Sequence, residues 1–254
     1  MTKQYKTTNS FKVFINVLLV SIILIINIWS SLSWADSKNT FNELSVIING
    51  GETLNNKIYF SYVDNIAERK INELSNKEIL DIILSHPYVH AARTSYRYPD
   101  KIVIDIKERE PFAILNKDPI IILDQYCFVL PNANNLDQYD IPILSKFNND
   151  QNLYPEGKKS LSTKVQKTIS WLSSLNDKHP TFYSNISEVF LENDNEIVLV
   201  LNEHPTKIFL GKNNTLEKIK ILKNFEETIK ETKKITDYAY LDIRYDNQVI
   251  AKEN

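Results

Sequence analysis

The chain has 254 residues, of which 43% are apolar, and a formal net charge of −2. This length suits one large or two small domains, and the near-neutral charge argues against a broad contact with nucleic acid. The chain contains four glycines and one cysteine, Cys127. Scarce glycine disfavours phosphate-binding loops, and a single cysteine excludes an internal disulfide or a cysteine-based zinc cage.

The N-terminal part of the chain contains an apolar segment, residues 13–35, without a charged residue. About 20 apolar residues cross the hydrocarbon core of a bilayer, so this segment is long enough to contact lipid along its whole length. Three lysines precede it, and no basic residue follows it before Lys38. Because basic residues stay on the cytoplasmic side, we expect residues 1–12 to form a cytoplasmic tail and the remainder to lie outside the cytoplasm.

A cleavable signal peptide and a buried soluble helix are the two other interpretations of this segment. A cleavable signal peptide also begins basic and continues apolar, and SLSWA, residues 31–35, offers small residues of the kind found at cleavage sites. The apolar run is longer than the usual signal-peptide core of about 7–15 residues, however. A buried soluble helix would show a polar face, and none is visible here. The sequence therefore favours an uncleaved membrane anchor, with Asn16 and Asn27 nearer its two ends.

The next segment predicts a strand followed by helices. LSVIING, residues 44–50, is typical of a strand. Ser75 and Glu78 have the spacing of a capping box, in which each side chain accepts a hydrogen bond from the other residue's backbone. They predict the start of an amphipathic helix, which ends at His86 because the residue before a proline avoids the helical region.

A β-hairpin follows that helix. YVHAARTSYRY is extended, and Tyr98-Pro99-Asp100-Lys101 predicts a turn with proline at its second position. KIVIDIKE places three isoleucines on one face and three charged residues on the other, which indicates a strand with one buried face: Ile102, Ile104 and Ile106 against Lys101, Asp105 and Lys107. Residues 44–111 therefore predict a small unit in the order strand–helix–helix–strand–strand.

Residues 112–250 predict a larger, mixed β unit with covering helices. Apolar stripes predict helices over residues 161–175 and about 215–232. The predicted strands are two in AILNKDPIIILDQYCFVLP, three in ISEVFLE, EIVLVLNE and TKIFLG, and a last one in ITDYAYLDIRYDNQVIAK. The fold class is α+β: a single N-terminal transmembrane helix, a small β-α-α-β-β unit, and a larger mixed β unit.

No group of residues in the sequence predicts catalysis. The four histidines form no helical metal-binding pair, and no serine lies in a nucleophile elbow. Glu108 and Glu110 flank Arg109 at the end of a predicted strand, which favours a solvated strand end or a salt-linked junction over paired catalytic carboxylates. A buried, inert thiol is favoured at Cys127. We predict a protein that is not an enzyme and that holds no cofactor or metal.

Four stretches of the chain resemble the bacterial FtsQ/DivIB family of cell-division proteins. They are HPYVHAARTSYRYPDKIVIDIKEREPFAIL, IILDQYCFVLP, KIFLG with the helix after it, and YLDIRYDNQVIAK. They occur in the family's order, behind the basic-flanked anchor. The sequence departs from the family at Cys127, where glycine is frequent, and at Tyr88, where tryptophan is frequent.

This resemblance implies a bitopic protein of the inner membrane, with its bulk in the periplasm and enriched at the division septum. It implies a POTRA domain over residues 44–111 and an FtsQ-type β domain over residues 112–250. Such proteins are non-enzymatic, bind partners of the FtsL and FtsB type, and help to control septal wall assembly. The partner-binding motif of the family matches Arg244 and Tyr245, with Asp242 and Ile243 as neighbours.

The physical basis for binding is the end of the chain. A terminal strand at a sheet edge presents unpaired N–H and C=O groups to which a partner strand can add, and Tyr and Arg are common anchors at interfaces. The same side chains can instead simply cover the sheet. Two other functional classes remain open at this point: a POTRA-bearing component of outer-membrane assembly or secretion, and a periplasmic enzyme with an unrecognised pocket.

Overall fold

The computed structural model describes residues 4–39, 45–51, 53–67, 74–97, 101–131, 139–193, 196–245 and 248–254. In these residues the chain forms a long N-terminal helix, a three-stranded sheet and a nine-stranded sheet. The α+β class expected from the sequence is confirmed.

Helix α1 spans Gln4–Asn39 and contains the predicted membrane segment. Its stretch Phe11–Trp34 is long and apolar enough to cross a bilayer, and none of it is buried against the other described residues. An apolar helix of a soluble protein would cover such a surface with protein. Helix α1 therefore fits a single-pass membrane protein.

The three-stranded sheet has β1 (Ser45–Asn49), β2 (Val89–Arg97) and β3 (Lys101–Glu108) in the order β1-β3-β2. The central strand β3 is parallel to β1 and antiparallel to β2. Helices α2 (Asn56–Ala67) and α3 (Asn76–Ser85) connect β1 to β2. This is the element order predicted for the unit; the Tyr98-Pro99-Asp100 part of the predicted turn lies outside the described residues.

The core of this unit lies between the sheet and the two helices. Isoleucines of alternate positions in β3 are buried against apolar residues of the helices. The capping box is present, because the Ser75 hydroxyl accepts a bond from the Glu78 N–H at 3.3 Å and the Glu78 carboxylate accepts one from the Ser75 N–H at 2.8 Å. His86 is the C-terminal cap of α3, in an extended conformation, as the following proline requires.

His86 is a buried histidine at the end of α3, 8% exposed. Tyr59 and Tyr62 pack edge-on against its ring, at 4.9 and 4.6 Å between ring centres. Its Nδ1 atom accepts a hydrogen bond from the backbone N–H of Tyr88 at 3.2 Å, so the ring is neutral on that side. Burial lowers the pKa of His86, and the nearby Glu108 carboxylate opposes that change only in part.

We expect acid to weaken the fold through His86. The ordinary histidine pKa is 6.5, so below about pH 6.5 the unfolded chain gains a proton that the folded chain resists, and stability is lost as the pH falls. The slope from this one group reaches at most about 1.4 kcal/mol per pH unit. Chemical unfolding at pH 7.0 and 5.5 measures the effect. Between these two values, the free energy of unfolding should fall less in His86→Asn than in the wild type, because asparagine keeps a hydrogen-bond acceptor but does not titrate. His204→Asn is the control, because His204 is exposed, and it should lose stability with falling pH as the wild type does.

Equal loss of stability with pH in the wild type and in His86→Asn would contradict this prediction.

The nine-stranded sheet follows directly in the chain. Its strands are β4 (Pro111–Leu115), β5 (Ile121–Asp124), β6 (Val129–Leu130), β7 (Ile143–Ser145), β8 (Ile186–Glu192), β9 (Glu196–Leu201), β10 (Lys207–Gly211), β11 (Tyr238–Asp242) and β12 (Ile250–Glu253). The spatial order is β12-β11-β10-β9-β8-β7-β4-β5-β6. The segment AILNKDPIIILDQYCFVLP thus lies on three strands rather than the predicted two.

Three helices belong to this larger unit: α4 (Thr163–Lys178), α5 (Pro180–Ser184) and α6 (Thr215–Ile229). Apolar residues of α4 and α6 pack with the sheet in one core. Helix α4 begins later than predicted, because Ser162 caps it by accepting a hydrogen bond from the Val165 N–H. Leu161, predicted on its apolar stripe, precedes the helix and is 63% exposed.

Glu108 ties the end of β3 to the start of the helical segment in its own unit. Its carboxylate is 8% exposed. It accepts hydrogen bonds from the backbone N–H groups of Thr53 and Leu54 and from the hydroxyl of Tyr59. These donors satisfy a buried charge that would otherwise be costly to remove from water.

Arg109 points the other way, into the nine-stranded unit. Its guanidinium donates a hydrogen bond to the Asp124 carboxylate at 2.7 Å, with the two side chains only 12% and 2% exposed. It also lies 3.8 Å from the centre of the Phe128 ring. The backbone N–H of Arg109 donates to the carbonyl of Tyr88, whose hydroxyl donates to the carbonyl of Pro131. A small apolar cluster completes this junction between the two sheets: Tyr88, Ile122 and Leu130, with Leu54 against them.

Candidate partner-binding edge

Strand β12 is the outermost strand at one end of the nine-stranded sheet. In the described residues it pairs with β11 alone, in antiparallel register from Tyr238–Glu253 to Asp242–Ile250. All four of its residues are exposed, and Ile250 is 44% exposed. A strand with one free side is a template on which an extended chain can pair.

Two hydrogen bonds show toward which side of the strand each residue of β12 directs its N–H and C=O groups. The Ile243 N–H donates to the carbonyl of Phe209, so this position of the chain faces β10. Groups alternate between the two sides of a strand, so Asp242, the residue before it, faces β12 and its partner Ile250. Ala251 then directs its N–H and C=O to the free side of the sheet. The bond from the Asn254 N–H to the Asp237 carbonyl fits the same alternation.

The structure corrects one sequence-based expectation here. ITDYAYLDIRYDNQVIAK was predicted to form a single last strand, but it forms β11 and β12, which pair with each other. Strand β11 lies between β10 and β12 and has no free edge. The open edge therefore belongs to residues 250–253, one strand further out than predicted. Residues 246 and 247, in the connection, lie outside the described residues.

The four residues matched to the family motif lie at the end of β11, where the chain turns toward β12. Asp242 is 6% exposed and Ile243 is fully buried, so neither presents its side chain to a partner. Tyr245 is 53% exposed, and in the described chain its side chain makes no hydrogen bond, ion pair or ring contact. Of the four, Tyr245 and Arg244 have accessible side chains, at 53% and 37% exposure, and Tyr245 is the one that makes no such bond in the described chain.

Arg244 is held by its own chain. Its guanidinium donates to both carboxylate oxygens of Asp242, the shortest bond being 2.6 Å, and to Glu196 at 2.9 Å. It also lies 5.3 Å from the centre of the Phe209 ring. We call this arrangement the Arg244 clamp. It joins the end of β11 to the start of β9, and so fixes the turn from which Tyr245 projects.

The protonation states of the Arg244 clamp are stabilised at neutral pH. Hydrogen bonds to Asp242 and then to Glu196 raise the pKa of Arg244. Burial alone would raise the pKa of Asp242, but hydrogen bonds from Arg244 outweigh it and hold that pKa below its ordinary value. The clamp is therefore present at neutral pH and is lost only as the pH falls through the lowered pKa of Asp242.

Gly211 leaves space for the Arg244 side chain, because it has no Cβ atom. Its φ is +80°, a conformation that favours glycine, and a Cβ atom there would lie 3.3 Å from the Cγ atom of Arg244. The Lys218 ammonium, from α6, donates to the carbonyl of Arg244 at 2.9 Å. A residue of β10 and a residue of α6 thus both position the turn after β11.

The sequence interpretation missed the edge residues themselves, Ile250 to Glu253. A signal for them was present: the dipeptide Asp246-Asn247 separates two extended stretches, and Asp and Asn are frequent in the turns of β-hairpins. It also missed the ion pair between Lys233, just after α6, and Glu253. That pair ties the far end of β12 to the helix side of the unit.

Comparisons with known proteins agree with this architecture. A family model described as FtsQ/DivIB, C-terminal related, matches residues 112–252. The chain is 24% identical over 182 residues to the cell division protein FtsQ of Syntrophotalea carbinolica, covering 72% of this chain and 63% of that protein. It is 28% identical over 157 residues to the cell division protein DivIB of Clostridium tetani, covering 59% of this chain and 56% of that protein.

The matched regions thus span 63% and 56% of the lengths of these two curated relatives. The family model covers more than half of this chain and includes the whole nine-stranded unit except the first residue of β4 and the last of β12. Three of the four stretches that carried the resemblance in the sequence lie in and around the same sheet, and the first lies mainly on β2 and β3 of the three-stranded sheet. The chain belongs to the FtsQ/DivIB family of cell division proteins.

Proposed function

We propose that this protein is a bitopic divisome protein that binds partners of the FtsB and FtsL type and thereby helps to control septal wall assembly. Residues 1–12 are its cytoplasmic tail and residues 13–35 its membrane anchor. Residues 44–111 are its POTRA domain and residues 112–250 its β domain, both in the periplasm. The protein works by contact rather than by catalysis and is enriched at the septum.

The observation that carries this proposal is the free edge of β12. A partner segment adds to that edge as a tenth strand, with backbone hydrogen bonds supplying affinity and alternate side chains supplying selection. Tyr245 lies beside the edge as an exposed aromatic anchor, and such residues are common hot spots. Arg244, Asp242 and Ile243 act differently: they hold the turn in place through the Arg244 clamp and through burial in the core.

The test of the function is depletion combined with microscopy. We expect cells depleted of the protein to grow as filaments, and a fluorescent fusion of the full chain to collect at midcell before constriction. The fusion should also retain an FtsB-type or FtsL-type protein when purified from membranes in mild detergent. Normal division after depletion, with the fusion spread evenly over the envelope, would argue against a division role.

The test of the site is Tyr245→Ala. We expect this change to weaken binding of the FtsB-type partner by about 2 kcal/mol, roughly 30-fold in Kd, because an interface anchor is lost. The stability of the free chain should change by no more than about 0.5 kcal/mol, since the side chain is exposed. Isothermal titration or a quantitative pull-down measures the first quantity, and urea unfolding measures the second.

The matched control is Tyr96→Ala. Tyr96 is 52% exposed, almost the same as Tyr245, but it lies on β2 of the other sheet. We expect it to leave partner binding unchanged. Equal binding by wild type and Tyr245→Ala would remove Tyr245 from the site, while leaving the edge itself to be tested separately.

A further inference from the structure

Helix α1 carries two asparagines at hydrocarbon depth. Asn16 and Asn27 lie about 10 Å and about 7 Å from the midpoint of Phe11–Trp34, at about 1.5 Å of rise per residue. The hydrocarbon core extends only about 15 Å to each side of the bilayer centre. Both amides therefore lie where no water is available to satisfy them, and polar side chains in such places face protein or one another.

The two asparagines lie on one face of the helix. They are eleven residues apart, which is three turns and a rotation of about 20°. With their neighbours at alternating spacings of three and four they form one heptad stripe, which we call the asparagine seam: Val13, Asn16, Val20, Ile23, Asn27, Ser30 and Trp34. A stripe with this spacing is the seam along which two helices pack in a left-handed pair.

The helix itself satisfies these polar groups unequally. Ser21, which lies off the seam, donates its hydroxyl to the carbonyl of Val17 at 2.9 Å. Asn27 donates one amide hydrogen to the carbonyl of Ile23 at 2.8 Å, and its oxygen and second hydrogen form no hydrogen bond within the described part of the chain. The Asn16 side chain makes no hydrogen bond to any described residue. The unsatisfied amide groups are thus those of the seam.

We propose that the asparagine seam pairs helix α1 with helix α1 of a second copy of this chain, in parallel, through hydrogen bonds between like asparagines. This rests on the membrane insertion proposed above. Two copies enter the bilayer in the same direction, so a parallel pair places Asn16 opposite Asn16 and Asn27 opposite Asn27 at matched depths. A carboxamide both donates and accepts, so each asparagine is complementary to its own copy.

Cysteine cross-linking of the full chain in native membranes tests this pairing. Single cysteines at Val20 and Ile23 lie on the seam, and cysteines at Leu18 and Ile25 lie on the opposite face. Under mild oxidation we expect a product of twice the chain mass at the two seam positions, at least roughly fivefold more than at the other two. The unaltered chain is the reference, because its own Cys127 is buried.

The decisive variant is Asn16→Leu with Asn27→Leu. In the Val20→Cys chain it should reduce cross-linking by roughly threefold or more, because the helices lose their amide bonds. Ser21→Ala is the matched control, since its hydroxyl is bonded within its own helix, and it should change nothing. Equal cross-linking on both faces, or no effect of the asparagine changes, would overturn the proposal.

Two further outcomes are informative. A seam-specific product joined to a different protein would overturn the second copy as occupant. A chain altered at the β12 edge should form the helix cross-link normally but should lose binding of the FtsB-type partner. Failure of the helix pairing and failure of the proposed partner binding are therefore seen in separate measurements.

Discussion

Replacing Arg109 by alanine should destabilise the folded chain by about 3 kcal/mol, at the lower end of the cost of breaking a buried ion pair. The change leaves the Asp124 carboxylate, 2% exposed, without its cation. It also removes the guanidinium from the face of the Phe128 ring. The expected cost is not larger because the other oxygen of Asp124 keeps two backbone donors, the N–H groups of Tyr126 and Phe128.

Urea unfolding followed by near-ultraviolet circular dichroism measures this change. Glu110→Ala is the matched control, because Glu110 is the exposed neighbour of Arg109; we expect it to alter stability by no more than about 0.5 kcal/mol. Adding Asp124→Asn to Arg109→Ala should recover about 1–2 kcal/mol, since the unpaired charge is removed while an acceptor stays. Equal stability of wild type and Arg109→Ala would contradict the role of this pair in the junction.

The smaller unit could be predicted well because its signals are local. The capping box of Ser75 and Glu78 depends only on residues three apart, and the alternation in KIVIDIKE depends only on which face of one strand is buried. Pro87 ends α3 through its clash with the preceding residue, and distant parts of the chain cannot change that. The capping box and the helix end appear in the structure as predicted, and the isoleucines of β3 are buried as predicted, although Val103 between them is buried as well.

The larger unit is harder to predict from the sequence, because the pairing of its strands depends on residues that are distant in the chain. Strand β6 has two residues, and β7 has three and pairs with β4 and β8 through parallel contacts. Segments so short carry no period that a sequence can show. For the same reason β11 and β12 were merged: both are extended, and only their mutual pairing tells them apart.

Cys127 shows how a departure from a family can still fit the fold. Its φ is +67°, the left-handed region in which glycine is preferred. The turn is held by its N–H bond to the Asp124 carbonyl and by the bonds that the Asp124 side chain accepts from Tyr126 and Phe128. Burial raises the pKa of the Cys127 thiol to about 11, so a neutral, unreactive thiol is accommodated at neutral pH.

The two exposed side chains of the site differ in whether their own chain already binds them. Arg and Tyr are both typical interface anchors, and the sequence could not separate them. The structure does so, because the Arg244 guanidinium donates to Asp242 and Glu196, whereas the Tyr245 side chain makes no hydrogen bond in the described chain. One of its carboxylate partners, Asp242, lies two residues away, but the other, Glu196, lies 48 positions away in the chain and on another strand.

The junction and the open edge lie at opposite ends of one sheet. The smaller unit contacts the end formed by β5 and β6, whereas β12 lies eight strand positions from β6. At about 4.8 Å per strand this separation is roughly 38 Å. Changes so far apart act independently on stability and binding. Arg109→Ala should therefore leave the Kd for the partner unchanged under conditions in which the variant is folded.

Replacing Ala251 by proline should weaken partner binding by about 3 kcal/mol, roughly 150-fold in Kd. The ring removes one outward N–H, worth about 1 kcal/mol, and its bulk lies where an added strand must approach. The pairing of β12 with β11 should survive, because the backbone of Ala251 faces away from β11 and proline is tolerated on edge strands. Titration of the FtsB-type partner into the purified full chain measures the loss.

Ala251→Ser is the matched control, because it keeps the N–H at the same exposed position and should bind within about twofold of wild type. The unfolding transition of Ala251→Pro should lie close to that of wild type, which separates a blocked edge from a damaged sheet. Tight binding by a folded Ala251→Pro chain would show that the partner does not pair with β12. Binding lost in Tyr245→Ala but kept in Ala251→Pro would place the partner on side chains of the turn alone, because only a backbone-paired strand depends on the Ala251 N–H.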